Sequence, residues 1–410
     1  MFANNSTIGA ATVPTADVQR LVDEIVELAA RPLERSQALP PSVYTSPGLY
    51  ELELERIWRH SWLHVGRVEE LEKRGDWITA NLVGEPVMVV RGQDDKLRAM
   101  SRVCPHRYMD VLGDAKGRRG NKEQFVCPYH SWSFGLNGQL TGAPLMSGSE
   151  VFAEERDAYC LIELPLTEWQ GFLFVNLDQG ATPLAPSLTQ VDAFLGNYDL
   201  AEWRLVDTIE WGETEANWKL VVDNGREAYH HQGTHRDSLE PLWPAHMVEY
   251  EASDSSDFFL LRMFVSPEAA TGQEDGHYIN PTLVPAAPRL TPFERSHYMV
   301  IGVYPGFIVA PGPDAVFTLS WMPTSPTKHT LDIGIYLHES RLDHPNIDGV
   351  IEEARAWITL IQSQDAAAIQ SVQRSATTRL IRRGGALSHL ERPVWTFQRF
   401  LAERLAGVRP

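Results

Sequence analysis

Cysteine is scarce in this chain: three residues in 410, an odd number. That excludes the disulfide framework of a small extracellular scaffold and points to a reducing, cytoplasmic setting. Positive charge is also short, with 36 Lys and Arg against 54 Asp and Glu and a formal net charge of −18. A nucleic-acid partner needs a basic surface, so none is expected. No apolar run reaches the roughly 18 residues of a membrane span, and no membrane association is expected. The opening MFANNSTIGAATVPTADVQR lacks a basic start and an apolar core, so it does not read as a secretory signal. No G-x-G-x-x-G follows a strand-like segment, so any nicotinamide cofactor would be oxidised on another protein. There is no internal repeat.

What remains is a composition typical of a globular protein, 43% hydrophobic and 22% charged, long enough for two or three domains. DVQRLVDEIVELAAR (17–31) repeats apolar residues at helical spacing through Val18, Leu21, Val22, Ile25, Val26 and Ala29. A second helix is expected over 50–62. From about Trp62 the pattern changes to short strands, DWITANLV, PVMVVRG and LRAMSRV, separated by turn residues and closed by GFLFVNL (171–177). This reads as an antiparallel meander. SLTQVDAFLG (187–196) is expected to be a helix. Beyond it, LVDTIEW, FFLLRMFV, YMVIGVY, GFIVAP, AVFTLSWM and TLDIGIYLH read as strands. ANWKLVVDNGREAYHH reads as one helix, and GVIEEARAWITLIQSQDAAAIQSVQR as a long one. Residues 266–297 hold five prolines and little periodicity. Long loops of this kind are usually functional, and this one is expected to be a loosely ordered lid.

CPH (104–106) and CPYH (127–130) each supply one thiolate and one imidazole, twenty residues apart. Cys104, His106, Cys127 and His130 could hold zinc, although zinc fingers usually pair Cys with Cys and His with His. Alternating order also suits a two-iron cluster in which both cysteines bind one iron and both histidines the other. With the tryptophan after the second His and the LNGQL turn that follows, the paired loops resemble the Rieske [2Fe–2S] family. The extra length between them falls in GDAKGRRGNKEQ, polar enough for a loop tip. Cys160, in YCLIEL, reads as a buried small hydrophobe.

About a hundred residues downstream, NGREAYHHQGTH packs three histidines and a glutamate into twelve positions. Glu227 and His230 would share a helix face. His235 falls on the wrong side of an unbroken helix, and Gly233 offers the break that swings it back. His231 points elsewhere. A carboxylate is needed as third ligand, and Asp365 lies on the apolar stripe of the long helix with Ile358, Ile361, Ala368, Ile369 and Val372. A carboxylate there is costly unless paired or metal-bound. An internal salt bridge is the plain alternative. Two His and one carboxylate with open positions make the facial triad of non-haem iron oxygenases.

Taken together, residues 40 to 410 resemble the large subunits of Rieske non-haem iron oxygenases. The resemblance implies an α+β chain: a helical arm (1–45), an all-β Rieske domain (46–180) holding the cluster, and a helix-grip catalytic domain (181–410) holding mononuclear Fe(II) on His230, His235 and Asp365. It implies that Glu227 bridges to a Rieske histidine of a neighbouring subunit. It implies a homotrimer or α3β3 assembly, an NAD(P)H-dependent reductase with or without a ferredoxin, O2, and a small organic substrate that is hydroxylated or demethylated. Trp243, Tyr304, Phe307 and Trp321 are candidate pocket walls that suit an aromatic ring or a quaternary ammonium. Glutamate at 227 resembles the branch that oxidises carnitine, choline or glycine betaine. Two other readings are an electron-transfer protein without mononuclear iron and a zinc-stabilised binding protein.

Overall fold

The computed structural model describes residues 14–113, 117–253 and 255–407. The first part of the expected N-terminal arm, and Asp114 to Lys116 of the expected loop tip, lie outside them. The described helices are α1 (Ala16–Ala30), α2 (Pro47–Arg56), α3 (Glu150–Glu155), α4 (Thr189–Leu195), α5 (Trp218–Asn224), α6 (Ile347–Ser375) and α7 (Arg392–Leu405). None is long and apolar enough to cross a membrane.

Thr15 caps α1 by accepting the Val18 amide, and the helix stops at Arg31, before Pro32. Its buried stripe is Val18, Leu21, Val22, Ile25, Leu28 and Ala29; Val26 faces outward instead. That stripe packs on α7, a helix the sequence reading did not single out. Ser46 caps α2, with Pro47 in the first turn. α2 packs on both α1 and α7, so the described N-terminal helices join the C-terminal half of the chain. The join is tied by an ion pair with both side chains fully buried: Lys219 Nζ of α5 lies 2.6 Å from Glu53 Oε1 of α2. Glu53 also accepts the Trp218 indole N–H at 2.8 Å.

The expected meander forms. Asp76–Leu82, Glu85–Arg91 and Leu97–Ser101 pair in sequence as antiparallel neighbours. Arg119–Asn121 and Glu163–Leu164 complete the sheet at its edges. Part of the expected loop tip is thus an edge strand, since its backbone finds partners in Asp76–Ile78. A three-stranded sheet, Phe125–Val126, Ser133–Phe134 and Leu140–Gly142, carries the second Cys-His loop. Phe172–Val175 lies in a separate sheet between Leu63–Arg67 and Leu166–Trp169.

The second half is built on a seven-stranded antiparallel sheet in the order Trp203–Thr214, Lys328–His338, Ala315–Ser325, Phe307–Pro311, His297–Val303, Phe258–Phe264 and Val248–Glu251. All six strands read from sequence are present, with Val248–Glu251 added at one edge. α6 packs against Trp203–Thr214, Lys328–His338 and α5. Residues 266–297 are not the loose cover expected. They contain a short hairpin, Gly272–Glu274 with His277–Ile279. Asn280, 1% exposed, fixes the segment by accepting the Trp243 indole N–H at 2.8 Å and donating to the Arg295 carbonyl at 3.0 Å.

The Glu53–Lys219 pair generates a stability prediction. Lys219→Met alone leaves a buried carboxylate without its countercharge and should cost about 3–5 kcal/mol in denaturant unfolding. Adding Glu53→Gln, which keeps an acceptor for Trp218, should recover most of that loss.

Candidate metal centres

The two Cys-His loops close by the same hydrogen bonds. The Cys104 amide donates to the Met109 carbonyl at 2.8 Å, and the Cys127 amide to the Trp132 carbonyl at 2.8 Å. Each Cys carbonyl accepts an amide four residues on, from Tyr108 at 2.9 Å and Ser131 at 3.0 Å. Both donors sit in the left-handed region, at φ 63° and 59°, a conformation costly for a residue with a side chain and usually held for function. Cys104 and Cys127 form the buried floor, at 1% and 2% exposure. His106 and His130 are half-buried above them, ring centroids 4.7 Å apart. His106 stacks flat on Trp132 at 4.6 Å.

Nδ1 of His106 and Nδ1 of His130 are both buried without a hydrogen-bond partner. Such orphans are rare in native proteins and call for an explanation. Burial pushes the Cys104 thiol above its ordinary value, Cys127 beside it adds to this, and the backbone amides of His106 and Arg107 aimed at its sulfur oppose it. Two buried sulfurs side by side, one of them served by amides, and two orphaned imidazole nitrogens fit a two-iron cluster with mixed ligands. Cys160 lies apart, half-exposed rather than buried, with its thiol on the Asp157 carbonyl.

The second cluster comes from a turn, not from one helix face. Asn217 caps α5 by accepting the Lys219 amide at 2.9 Å, but α5 ends at Asn224, before Glu227. The break lies at Asn224–Gly225, a helix-stop pair, rather than at Gly233. Arg226 reinforces it: its Nε donates to the Val222 carbonyl at 2.7 Å. Glu227 then leads into a single 3-10 turn, Tyr229–Gln232, and the turns that follow bring His235 beside His230, ring centroids 5.0 Å apart.

His230, His235 and Asp365 offer ligand atoms that all lie within 4.8 Å of one another. His235 Nε2 is 2.9 Å from Asp365 Oδ1, and His230 Nε2 is 3.5 Å from the same oxygen. Donors about 3 Å apart suit a metal bound at about 2 Å. The outer nitrogens are held as well. His230 Nδ1 meets Glu227 Oε1 at 2.7 Å, and Glu227 Oε2 accepts the His230 amide. His235 Nδ1 meets Gln364 Oε1 at 2.8 Å, and Gln364 accepts Ser238 Oγ–H at 2.8 Å. Burial lowers the His230 pKa, but Glu227 and Asp365 outweigh it and leave it raised. This is the arrangement that orients imidazole ligands toward a metal.

Gln364 and Ser238 were missed in the sequence, although Gln364 directly precedes Asp365. His231 points away from the ligand pair and is buried, its Nδ1 3.2 Å from the Trp243 carbonyl. Burial, with His230 beside it, pushes its pKa down to about 3. On α6 the buried stripe includes Ile361, Ala366 and Ile369, whereas Val372 is 50% exposed. Val372 instead lines a depression of about 650 Å³ with Glu227, His230 and Asp223. Of the four candidate pocket aromatics, Trp243 lines a large cavity, about 570 Å³. Phe307 and Trp321 are packed in hydrophobic cores, and Tyr304 stacks over Arg226.

Residues 61–153 match the family model of the Rieske [2Fe-2S] domain, and residues 199–407 that of the ring hydroxylating alpha subunit catalytic domain. A glycine betaine monooxygenase oxygenase subunit of Chromohalobacter salexigens is 33% identical over 226 residues, 55% of this chain and 48% of that protein. A carnitine monooxygenase oxygenase subunit of Acinetobacter baumannii is 37% identical over 198 residues, 47% of this chain and 50% of that protein. The match thus spans about half the length of these two relatives. The benzene 1,2-dioxygenase alpha subunit of Pseudomonas putida is 27% identical over 349 residues, covering 77% of this chain and 71% of that protein. Among solved structures, a quaternary ammonium Rieske monooxygenase superposes with TM-score 0.77 at 23% identity, over 92% of this chain and 98% of that one. Naphthalene 1,2-dioxygenase from Rhodococcus sp. does so with TM-score 0.77 at 19% identity, over 97% and 100%. At these identities the likeness shows the fold.

The Gln364 contact yields a prediction separating the two centres. Gln364→Ala frees the His235 ring and should weaken binding of an iron ion at His230, His235 and Asp365 about 10- to 100-fold, with sulfide content unchanged. Iron-to-sulfide ratios after dialysis against a chelator measure it.

Proposed function

This chain belongs to the ring-hydroxylating alpha-subunit family, with a Rieske [2Fe-2S] domain ahead of its catalytic domain, and from that premise we propose that it is the terminal oxygenase of a multicomponent system acting on a small quaternary ammonium compound. The observation that carries the reading is the convergence of His230, His235 and Asp365, each imidazole held by its outer nitrogen. A docking scaffold for electron transfer has no need of such a triad. Cys104 and Cys127 would hold one iron of the cluster, His106 and His130 the other, and His230, His235 and Asp365 a mononuclear Fe(II). When bound, these groups supply single electrons and O2 activation. The chain's own part is to orient the ligands, exclude water and position the substrate.

Glu227 is placed for a further task. Its side chain is 10% exposed and faces the 650 Å³ depression while holding His230. We assign it as the link to a Rieske histidine of a neighbouring copy, whose free ring N–H it would accept. Surface chemistry supports a head-to-tail assembly such as a homotrimer. The Rieske tip exposes Tyr108 (83%), Tyr129 (52%) and Leu145 (99%), and α3 nearby in sequence adds the acidic Glu150, Glu154 and Glu155. Beside the depression Leu380 (93%) and Ile381 (61%) are exposed among Arg379, Arg382 and Arg383. Apolar tips with opposite charges are complementary surfaces. Electrons would come from a separate NAD(P)H-dependent reductase, directly or through a ferredoxin. The relatives named for carnitine and glycine betaine support the substrate class.

Stopped-flow mixing of the reduced protein with O2 and a quaternary ammonium substrate tests the assignment. Glu227→Gln should keep its iron and sulfide and slow cluster reoxidation at least about tenfold, because a charge-assisted contact becomes a neutral one. Reoxidation and product formation at the parent rate would remove Glu227 from the path.

A further inference from the structure

The cavity beside Trp243 has walls of an unusual kind. Trp243 and Tyr298 meet edge-to-face with centroids 4.8 Å apart and planes at 65°. Trp243 and Trp357 do so at 6.3 Å and 69°. With Phe317 these rings line a space of about 570 Å³. The charged residues among its described lining are Asp314 and Glu353, both acidic, and no Lys or Arg joins them. Asp314 is 2% exposed and firmly held: Oδ1 accepts the Tyr298 hydroxyl at 2.9 Å, and the other oxygen accepts the Leu283 amide. Gly312 makes room for the Tyr298 ring, since a Cβ there would come within 1.8 Å of it.

One wall residue, Trp243, ties the cavity to the metal-ligand turn. The carbonyl of Trp243 meets His231, whose ring centroid is 5.1 Å from that of His230.

Ring faces attract a cation, and they do so most strongly where water is excluded. Fixed carboxylates add to the attraction. A neutral hydrocarbon ring gains nothing from Asp314, and an aromatic acid or any carboxylate meets charge of its own sign with no cation to receive it. We propose that this cavity seats the cationic head of the substrate, and that it favours a quaternary ammonium compound lacking a carboxylate over a betaine. This deepens the quaternary-ammonium reading above and rests on it. Trp243, Tyr298 and Trp357 enclose the methyl groups, Asp314 fixes Tyr298 and supplies negative potential, and Glu353 guards the solvent side.

Calorimetric titration of the full-length, metal-loaded protein under anaerobic conditions, with choline, tetramethylammonium and glycine betaine as probes, tests the proposal. Choline should bind about tenfold more tightly than glycine betaine, and Trp357→Leu should weaken choline about tenfold. Glu353 is exposed, so Glu353→Lys leaves the fold intact, which circular dichroism checks. That variant should shift the choline-to-betaine ratio at least about tenfold toward betaine. Betaine binding as tightly as choline in the parent, or an unchanged ratio in Glu353→Lys, overturns the proposal. If betaine binds and turns over while both variants behave as the parent, the cavity assignment alone fails. If none of the three probes binds protein with full iron and sulfide content, the substrate class fails with it.

Discussion

One carboxylate between two imidazoles organises the second half of this molecule. Asp365 Oδ1 stands 2.9 Å from His235 and 3.5 Å from His230, with its side chain only 17% exposed. A carboxylate in such a place is tolerated when paired or bound to metal. The partners come from a turn 130 residues away, so α6 must be held in register with the segment after α5. The connections that do so are polar and specific. Gln373 of α6 accepts the Asn217 amide at the start of α5 at 2.7 Å, and its side-chain NH2 donates to the Tyr44 carbonyl at 3.1 Å. The N-terminal arm, α5 and the C-terminal half of α6 are thereby locked to one another, with the Glu53–Lys219 pair beneath them.

Much of this was legible from the chain alone, for a reason of length scale. The CPH and CPYH loops are local motifs whose residues announce their chemistry within a few positions. The strand pattern is a period-two signal that survives tertiary context. His230 and His235 were identified as a pair, but the route to the pairing differed. The break comes at Asn224–Gly225, where Arg226 takes a helix carbonyl. Spacing alone points to Gly233 instead. What stayed hidden is long-range. Gln364 reaches His235 across 129 residues, and nothing in QSQD singles it out from Gln362, which is simply buried. Val372 looked like core because it fits the apolar period of α6, yet it lies beside an open depression. The proline-rich stretch at 266–297 looked loose because its order comes from Asn280, Ser266 and Glu294, polar residues whose partners Trp243, Pro241 and Asn197 are brought to them only in the fold.

The two candidate metal-ligand sets make opposite demands on their surroundings. His106 and His130 are half-buried, with the exposed Tyr129 ring 3.8 Å from that of His130, at a surface suited to contact. The triad is recessed, with His235 fully buried and its neighbours His231 and Trp243 nearly so. A centre that exchanges electrons gains from reach, and one that works on a small molecule gains from exclusion of water. Glu227 stands where the recessed set opens toward the surface, and the aromatic cavity is tied to the same turn through Trp243, whose carbonyl meets His231.

The central claim is that one chain holds both centres. Chemical analysis of anaerobically purified protein for iron, zinc and acid-labile sulfide, with electron paramagnetic resonance after dithionite reduction, tests it most directly. The account predicts about three irons and about two sulfides per chain, little zinc, and a Rieske-type signal. Zinc without sulfide and no signal would contradict both assignments. About two irons with full sulfide, and none recoverable at the triad after adding Fe(II), would leave the cluster and remove the oxygenase.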